Sequence, residues 1–169
     1  MLRVDSKIEE TRMTYTLNGT TQLMAVPNLR LKQRTNLSNA PGRRQTMLDF
    51  GFLTASLFDG SLYTSKFIRV DRATSAVVFD IGYVSKYNDT SRHRVWIDPV
   101  KHYIQKREWY NRTGNLLATF TFENPVEKKG IWLPTVLTVR NVDNVIAGQT
   151  RYEDMKVNEG IAESIFSVK

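Results

Sequence analysis

The side chains that most often carry covalent or metal chemistry are scarce in this chain, which has two histidines and no cysteine. His93 and His102 each fall among strand or turn residues beside arginine or lysine. They lack the His-x-x-x-His spacing that would set two imidazoles on one helix face. Ser56, Ser61, Ser65, Ser75 and Ser85 sit in no Gly-x-Ser-x-Gly elbow, so no serine nucleophile is supported. Glycoside chemistry needs two facing carboxylates, and Asp98 and Glu108 could meet across a hairpin, but any β protein offers such pairs by chance. The nine glycines are dispersed at turns, and none builds a phosphate loop. The absence of cysteine excludes a disulfide framework, a zinc-thiolate site and a thiol nucleophile. The expectation is therefore a protein with no catalytic residues, no metal and no cofactor, whose work is binding.

Nucleic acid is the first ligand to test against the sequence, because the net charge is +7 and Lys106-Arg107-Glu108-Trp109-Tyr110 interleaves basic and aromatic side chains. A stacking platform needs its aromatics on one sheet face, whereas Trp109 and Tyr110 alternate to opposite faces. The other basic residues are scattered. The densest spot is Arg30, Lys32 and Arg34, followed by Arg43 and Arg44. A period of two puts the first three on one face of a strand, with Leu29 and Leu31 on the other. That is a solvent face or a stripe for anions or headgroups. No nucleic-acid partner is expected.

The elements that would carry a binding site are strands. Arg92 to Ile97, Tyr103 to Tyr110, Asn115 to Glu123 and Ile131 to Arg140 are rich in β-branched and aromatic residues. They are separated by Asp98-Pro99, Asn111-Arg112-Thr113-Gly114 and Lys128-Lys129-Gly130, and so read as an antiparallel meander. Upstream, Thr11 to Val26 is a hairpin through Asn18-Gly19. Asn28 to Thr35 continues it, and Asn36 to Gly42 breaks it as a loop. Leu62 to Asp71 and Ala76 to Lys86 are further strands, and Val145 to Met155 is the last before a tail anchored by Ile161, Ile165 and Phe166. One stretch differs. Between Thr46 and Phe58, the residues Leu48, Phe50, Phe52, Leu53, Leu57 and Phe58 show no period of two. They predict a short apolar helix or helical turn, weakened by Gly51, that either plugs the core or covers a cavity.

At 169 residues, with 41% hydrophobic and 24% charged side chains, the chain is expected to be one domain, 1–169, with an ordinary soluble composition. No apolar run approaches the ~18 residues of a membrane helix. Met1 to Glu10 has mixed charge and no apolar core, so no signal peptide is expected within the chain. About ten regularly spaced strands with one or two short helices argue a mainly β (α+β) fold, a highly curved antiparallel sheet or barrel.

At the central meander the residues become specific. Trp96-Ile97-Asp98-Pro99, Gln105-Lys106-Arg107-Glu108 leading to Gly114, Thr119-Phe120-Thr121-Phe122, Gly130-Ile131-Trp132-Leu133-Pro134, and Val157-Asn158 before Phe166 occur in that order. This pattern resembles the LolA-like outer-membrane lipoprotein-sorting proteins, a lipoprotein carrier family with the LolA/LolB-like fold. The resemblance covers Ala76 to Val168. The signal sequence and amphipathic helix with which such proteins usually begin are not visible in Met1 to Glu10, and no family arginine can be matched to a residue of this chain.

The resemblance implies a half-open barrel whose short helices cover an apolar cavity for lipid or lipoprotein acyl chains. It implies a non-enzymatic monomer in the periplasm or cell envelope that carries its cargo to the outer membrane, with a membrane-bound donor or acceptor protein as partner. The candidate cavity lining is Phe120, Phe122, Leu116, Phe79, Ile81 and Ile68, with Phe52, Leu53 and Phe58 from the covering stretch. Trp96 and Trp132, each at a strand end, read as structural covers of the barrel edge. The alternative is a regulatory or interaction module of the same fold that senses envelope lipoprotein or protein ligands through its edge strands and basic face.

Overall fold

Alternation of apolar and polar side chains becomes antiparallel pairing in the computed structural model, which describes residues 1–44, 46–55 and 60–168. The chain forms two compact units, one of Met1–Thr46 with Glu159–Lys169 and one of Met47–Asn158. Thirteen strands are present among the described residues, against the ten or so expected.

The first unit is a four-stranded meander of β1 (Leu2–Ile8), β2 (Thr11–Asn18), β3 (Thr21–Val26) and β4 (Leu31–Asn36), paired in chain order. β1 was not expected, although Leu2, Val4 and Ile8 alternate with Arg3, Asp5 and Lys7 along it. Gly19 opens the β2–β3 turn with φ +58, the conformation that Asn-Gly hairpins favour. Arg30 lies outside β4, because it ends the 3-10 turn Pro27–Leu29 in a left-handed conformation. The basic stripe therefore reduces to Lys32 and Arg34, which share a face opposite Ala25 and Leu23. Two carbonyls of the tail are held by this sheet, Ile165 O by Arg3 Nη1 at 2.9 Å and Phe166 O by Asn18 Nδ2 at 3.3 Å.

The second unit holds a seven-stranded antiparallel sheet in the order β13-β12-β9-β8-β7-β6-β5. Its strands are β5 (Tyr63–Val70), β6 (Val77–Tyr83), β7 (Arg92–Ile97), β8 (Ile104–Tyr110), β9 (Leu116–Glu123), β12 (Val136–Arg140) and β13 (Ile146–Arg151). The single strand expected over 131–140 is two. Pro134 has no N–H to continue a ladder, and it separates β12 from β11 (Ile131–Leu133), which pairs with β10 (Val126–Lys128) as a small hairpin.

The two faces of the large sheet differ sharply. The inner face packs Tyr63, Ile81, Val95, Ile97, Ile104, Phe122 and Leu137 around Leu48. The outer face is largely a lattice of ions and rings. Arg94 holds both oxygens of Asp80 at 2.7 and 3.0 Å, Lys106 Nζ lies 2.7 Å from Glu108, and Arg92 stacks 3.9 Å above the Tyr110 ring.

The helix or helical turn expected over 46–58 is, where described, the shorter alternative, a four-residue 3-10 turn, Met47–Phe50, followed by irregular chain. Leu57 and Phe58 lie outside the described residues. Gly51 takes φ +81, a left-handed conformation that ends the turn at once. An added Cβ there would overlap the Phe122 ring. Among the described residues, helical backbone is confined to such 3-10 turns.

Candidate ligand-binding site

The segment 47–55 covers the inner face of the seven-stranded sheet. Leu48, 1% exposed, is driven into the core, and the N–H of Ile104 reaches the carbonyl of Gly51 at 3.4 Å, tying the segment to the start of β8. Beside these apolar contacts lies a charged one. Arg107, inward-facing on the central strand β8, is 2% exposed and donates from Nη1 to Asp49 Oδ1 at 2.7 Å. The Phe120 ring lies 3.8 Å from the guanidinium carbon. Arg107 Nε is buried with no partner among the described residues.

His93 completes this cluster and is neutral. Arg107 can only donate, so the His93 Nδ1 at 3.5 Å accepts, and the imidazole proton sits on Nε2, 3.4 Å from the Tyr83 hydroxyl. Burial, reinforced by the adjacent guanidinium, pushes the His93 pKa down to about 3. Burial also lowers the Arg107 pKa, countered by the Asp49 carboxylate, and raises that of Tyr83. The geometry offers no nucleophile with a base in reach of open space, so the cluster reads as a buried polar brace under the covering segment.

The same segment walls an open-sided pocket of about 530 Å³ within the second unit. Met47, Phe52, Leu53 and Thr54 form one side. Ile131, Trp132 and Leu133 of β11 form another, and Tyr152, Met155 and Val157 close it, with His102, Lys156 and Asn158 also in the lining. Phe52 and Tyr152 pack ring to ring at 6.5 Å. Such a volume with mostly apolar walls and few polar groups is what a small apolar ligand requires.

Of the lining expected from sequence, Phe52 and Leu53 stand in this pocket. Ile81 and Phe122 are packed core at 3% and 2% exposure, and Phe79 and Phe120 pack against them. Leu116 pairs with Tyr110 past a register shift and is not among the side chains of that cluster. Ile68 lies apart from these. It sits at a β-bulge between Phe67 and Arg69, which turns it toward Ala76, Val78 and Trp96, a cluster separate from the core of the inner face. Phe58 lies outside the described residues.

Trp96, as expected, is structural, with its indole N–H 3.3 Å from Asp71 and Lys106 Nζ 4.3 Å above its ring. Trp132, expected at an edge, instead lines the pocket together with Tyr152, Met155 and Val157. The Gly130-Ile131-Trp132-Leu133-Pro134 run was the one signal for it. An exposed glycine turn and a proline isolate a short apolar strand too small to be core.

The mainly antiparallel β fold is LolA-like, and solved structures similar to the chain share it. A putative outer membrane lipoprotein-sorting protein domain from Vibrio parahaemolyticus is 18% identical with a TM-score of 0.61, over 92% of this chain and 68% of that one. A LolA superfamily protein from Nitrosomonas europaea is also 18% identical at 0.61, over 96% and 73%. A DUF1329 family protein from Desulfovibrio piger is 13% identical at 0.61, over 94% and 69%. No curated protein matches. Residues 55–169 match the model of a family described as "-like: Uncharacterized protein", and the chain belongs to that family.

Proposed function

We propose that this protein is a non-enzymatic carrier that shelters a lipid or lipoprotein acyl chain in a half-open β-barrel and moves it across the periplasm to the outer membrane. The observation that carries this reading is the open-sided apolar pocket beside the segment 47–55, in a fold of the LolA-like class. Structural similarity over 92% or more of the chain supports treating residues 1–169 as one binding domain. Phe52 and Leu53 touch the cargo directly. Phe79, Ile81, Phe120 and Phe122 form the wall behind the covering segment and would meet the chain once that segment lifts. Carriage needs no catalytic group, because burying an acyl chain contributes ~0.8 kcal/mol per methylene and release needs only an opening motion.

The test is direct. Gently purified protein extracted with organic solvent should yield lipid by mass spectrometry, and delipidated protein should take up a fluorescent acyl probe. Failure of both rejects carriage.

Exposed edge strands favour a second reading, an interaction module of the same fold. β4 carries solvent-facing Lys32 and Arg34, and β13 is exposed along its whole length. A defined envelope protein that binds wild type and a pocket-filling Leu53→Trp variant equally well would support it over carriage.

A further inference from the structure

One end of the four-stranded meander combines exposed apolar side chains with cations. The β1–β2 turn and the 3-10 turn Pro27–Leu29 between β3 and β4 lie at the same end of this antiparallel sheet, and Asn28 Nδ2 ties them by donating to the Glu10 carbonyl at 2.7 Å. Ile8 and Leu29, each 69% exposed, and Leu31, 46% exposed, stand at this tip. Lys7, Arg12, Arg30 and Lys32 are set among them against the carboxylates of Glu9 and Glu10, which leaves an excess of positive charge. Register places Lys7 directly opposite Arg12, and like charges so placed destabilise a sheet. Glu10 Oε2 is 3.9 Å from Lys7 Nζ but faces solvent, so it offsets this repulsion weakly. Lys32 is engaged within the protein, whereas no side-chain hydrogen bond or ion pair among the described residues holds Arg12 or Arg30.

Apolar side chains flanked by cations suit a partner that is anionic at its surface and apolar just beneath. A bilayer with anionic headgroups has that profile, because Ile and Leu can enter the boundary of headgroups and acyl chains while Lys and Arg stay with the phosphates. A nucleic acid would meet the charges but leave three apolar side chains in water, and residues 8–12 and 27–32 hold no aromatic ring on which a base could stack. A stable protein interface uses about 20–30 residues a side, more than this tip supplies. Apolar exposure alone does not single the tip out. Val142 and Val145 are also exposed in the β12–β13 turn, but residues 141–145 carry Asp143 and no cation.

We propose that this tip docks the protein on an anionic bilayer surface. Ile8, Leu29 and Leu31 seat at the boundary of headgroups and acyl chains, and Arg12 and Arg30, with Lys7 beside them, meet the lipid phosphates. Docking of this kind goes beyond carriage and does not depend on the pocket.

The experiment cosediments the full chain with vesicles of phosphatidylcholine alone and of phosphatidylcholine mixed equally with phosphatidylglycerol. The mixed vesicles should bind about tenfold or more tighter at low salt, and the preference should fade in ~1 M salt, where the screening length falls to about 3 Å. Arg12→Gln/Arg30→Gln and, separately, Ile8→Ser/Leu29→Ser/Leu31→Ser should each weaken binding to the mixed vesicles about tenfold. Both variants change only exposed side chains, and thermal unfolding checks that each is folded. Because the chain has no cysteine, an environment-sensitive dye can be attached at Leu29→Cys or, as a control, at Val142→Cys. Its emission should move to the blue on mixed vesicles at the first position and not at the second. Equal binding to the two kinds of vesicle, a variant that binds like wild type, or a dye response at Val142 as large as at Leu29 would overturn the inference. So would a DNA duplex bound as tightly as the mixed vesicles by wild type and the serine variant alike. Uptake of the acyl probe is measured on the same samples, so loss of docking with uptake intact leaves carriage standing, and docking without uptake rejects carriage alone.

Discussion

Removing the carboxylate of Asp49 should cost more stability than removing the arginine it serves, although Arg107 is by far the more buried partner. Asp49→Ala leaves a guanidinium at 2% exposure whose Nε already lacks a partner and whose Nη1 loses its 2.7 Å acceptor. Breaking a buried pair in this way typically costs about 3–5 kcal/mol. The Asp49 side chain is 28% exposed, so water can partly replace it, and we take the low end, about 3 kcal/mol. Arg107→Met fills much of the same space with apolar atoms and leaves behind a carboxylate that solvent can reach. Its cost is the cation–π contact with Phe120 and the contact with His93, about 1 kcal/mol. The double variant should resemble Arg107→Met alone, because the stranded charge is gone. At roughly 2–4 °C per kcal/mol for a chain of this size, Asp49→Ala should lower Tm by about 6–12 °C and the other two by about 2–4 °C. Thermal unfolding followed by near-UV circular dichroism measures all three. If Asp49→Ala proves as stable as Arg107→Met, the pair is not a brace and the core does not depend on Asp49 to keep Arg107 buried.

His93 makes stability depend on acid. Its folded pKa of about 3 lies below the ordinary value of 6.5, so the unfolded chain binds a proton that the folded chain refuses. This contribution is fully present above pH 6.5 and is lost progressively as pH falls toward 3. It should amount to roughly 2.5 kcal/mol lost between pH 6.5 and 4.5, and urea titrations across that range should show the loss in wild type but not in His93→Gln. Gly51→Ala combines a left-handed backbone with overlap of the Phe122 ring, and should cost about 3 kcal/mol or more. Gly114→Ala, at φ +85 with open space around it, carries only the backbone term of about 1 kcal/mol, and equal melting temperatures for the two variants would contradict the packing described for Gly51.

The strands of the second unit were legible because each buries one face, so that Phe79 and Ile81, or Phe120 and Phe122, recur at period two. β1 escaped notice because its alternation is written partly in charges, with Arg3, Asp5 and Lys7 filling the polar positions of a segment that also resembles a frayed terminus. Arg107 sits at the inward parity of β8, where a charged side chain is rarely buried without a partner. The Asp49 carboxylate, 58 residues earlier, supplies the counter-charge for that inward position. Beyond Phe52 and Leu53 the pocket could not be read, because its walls come from 47–54, His102, 131–133 and 152–158, separate stretches with no common period. Such a site is defined by which loops meet, and no local pattern encodes that.

The absence of a period in residues 47–55 follows from its two duties. A helix or strand would present one apolar face, but this segment must be apolar in two directions, with Leu48 set into the core and Met47, Phe52 and Leu53 turned to the pocket. Gly51 permits the reversal between them, and Asp49 fixes its register by reaching Arg107. The consequence is thermodynamic. Any occupant of the pocket presses on the segment that completes the Arg107–Asp49 pair, so whatever affinity a ligand has for the closed arrangement stabilises the core by RT ln(1 + [L]/Kd). A ligand that instead needs Phe120 and Phe122 must lift the segment and strand Arg107. A buried arginine under a removable cover therefore favours filling the pocket beside the segment over prying the core open beneath it.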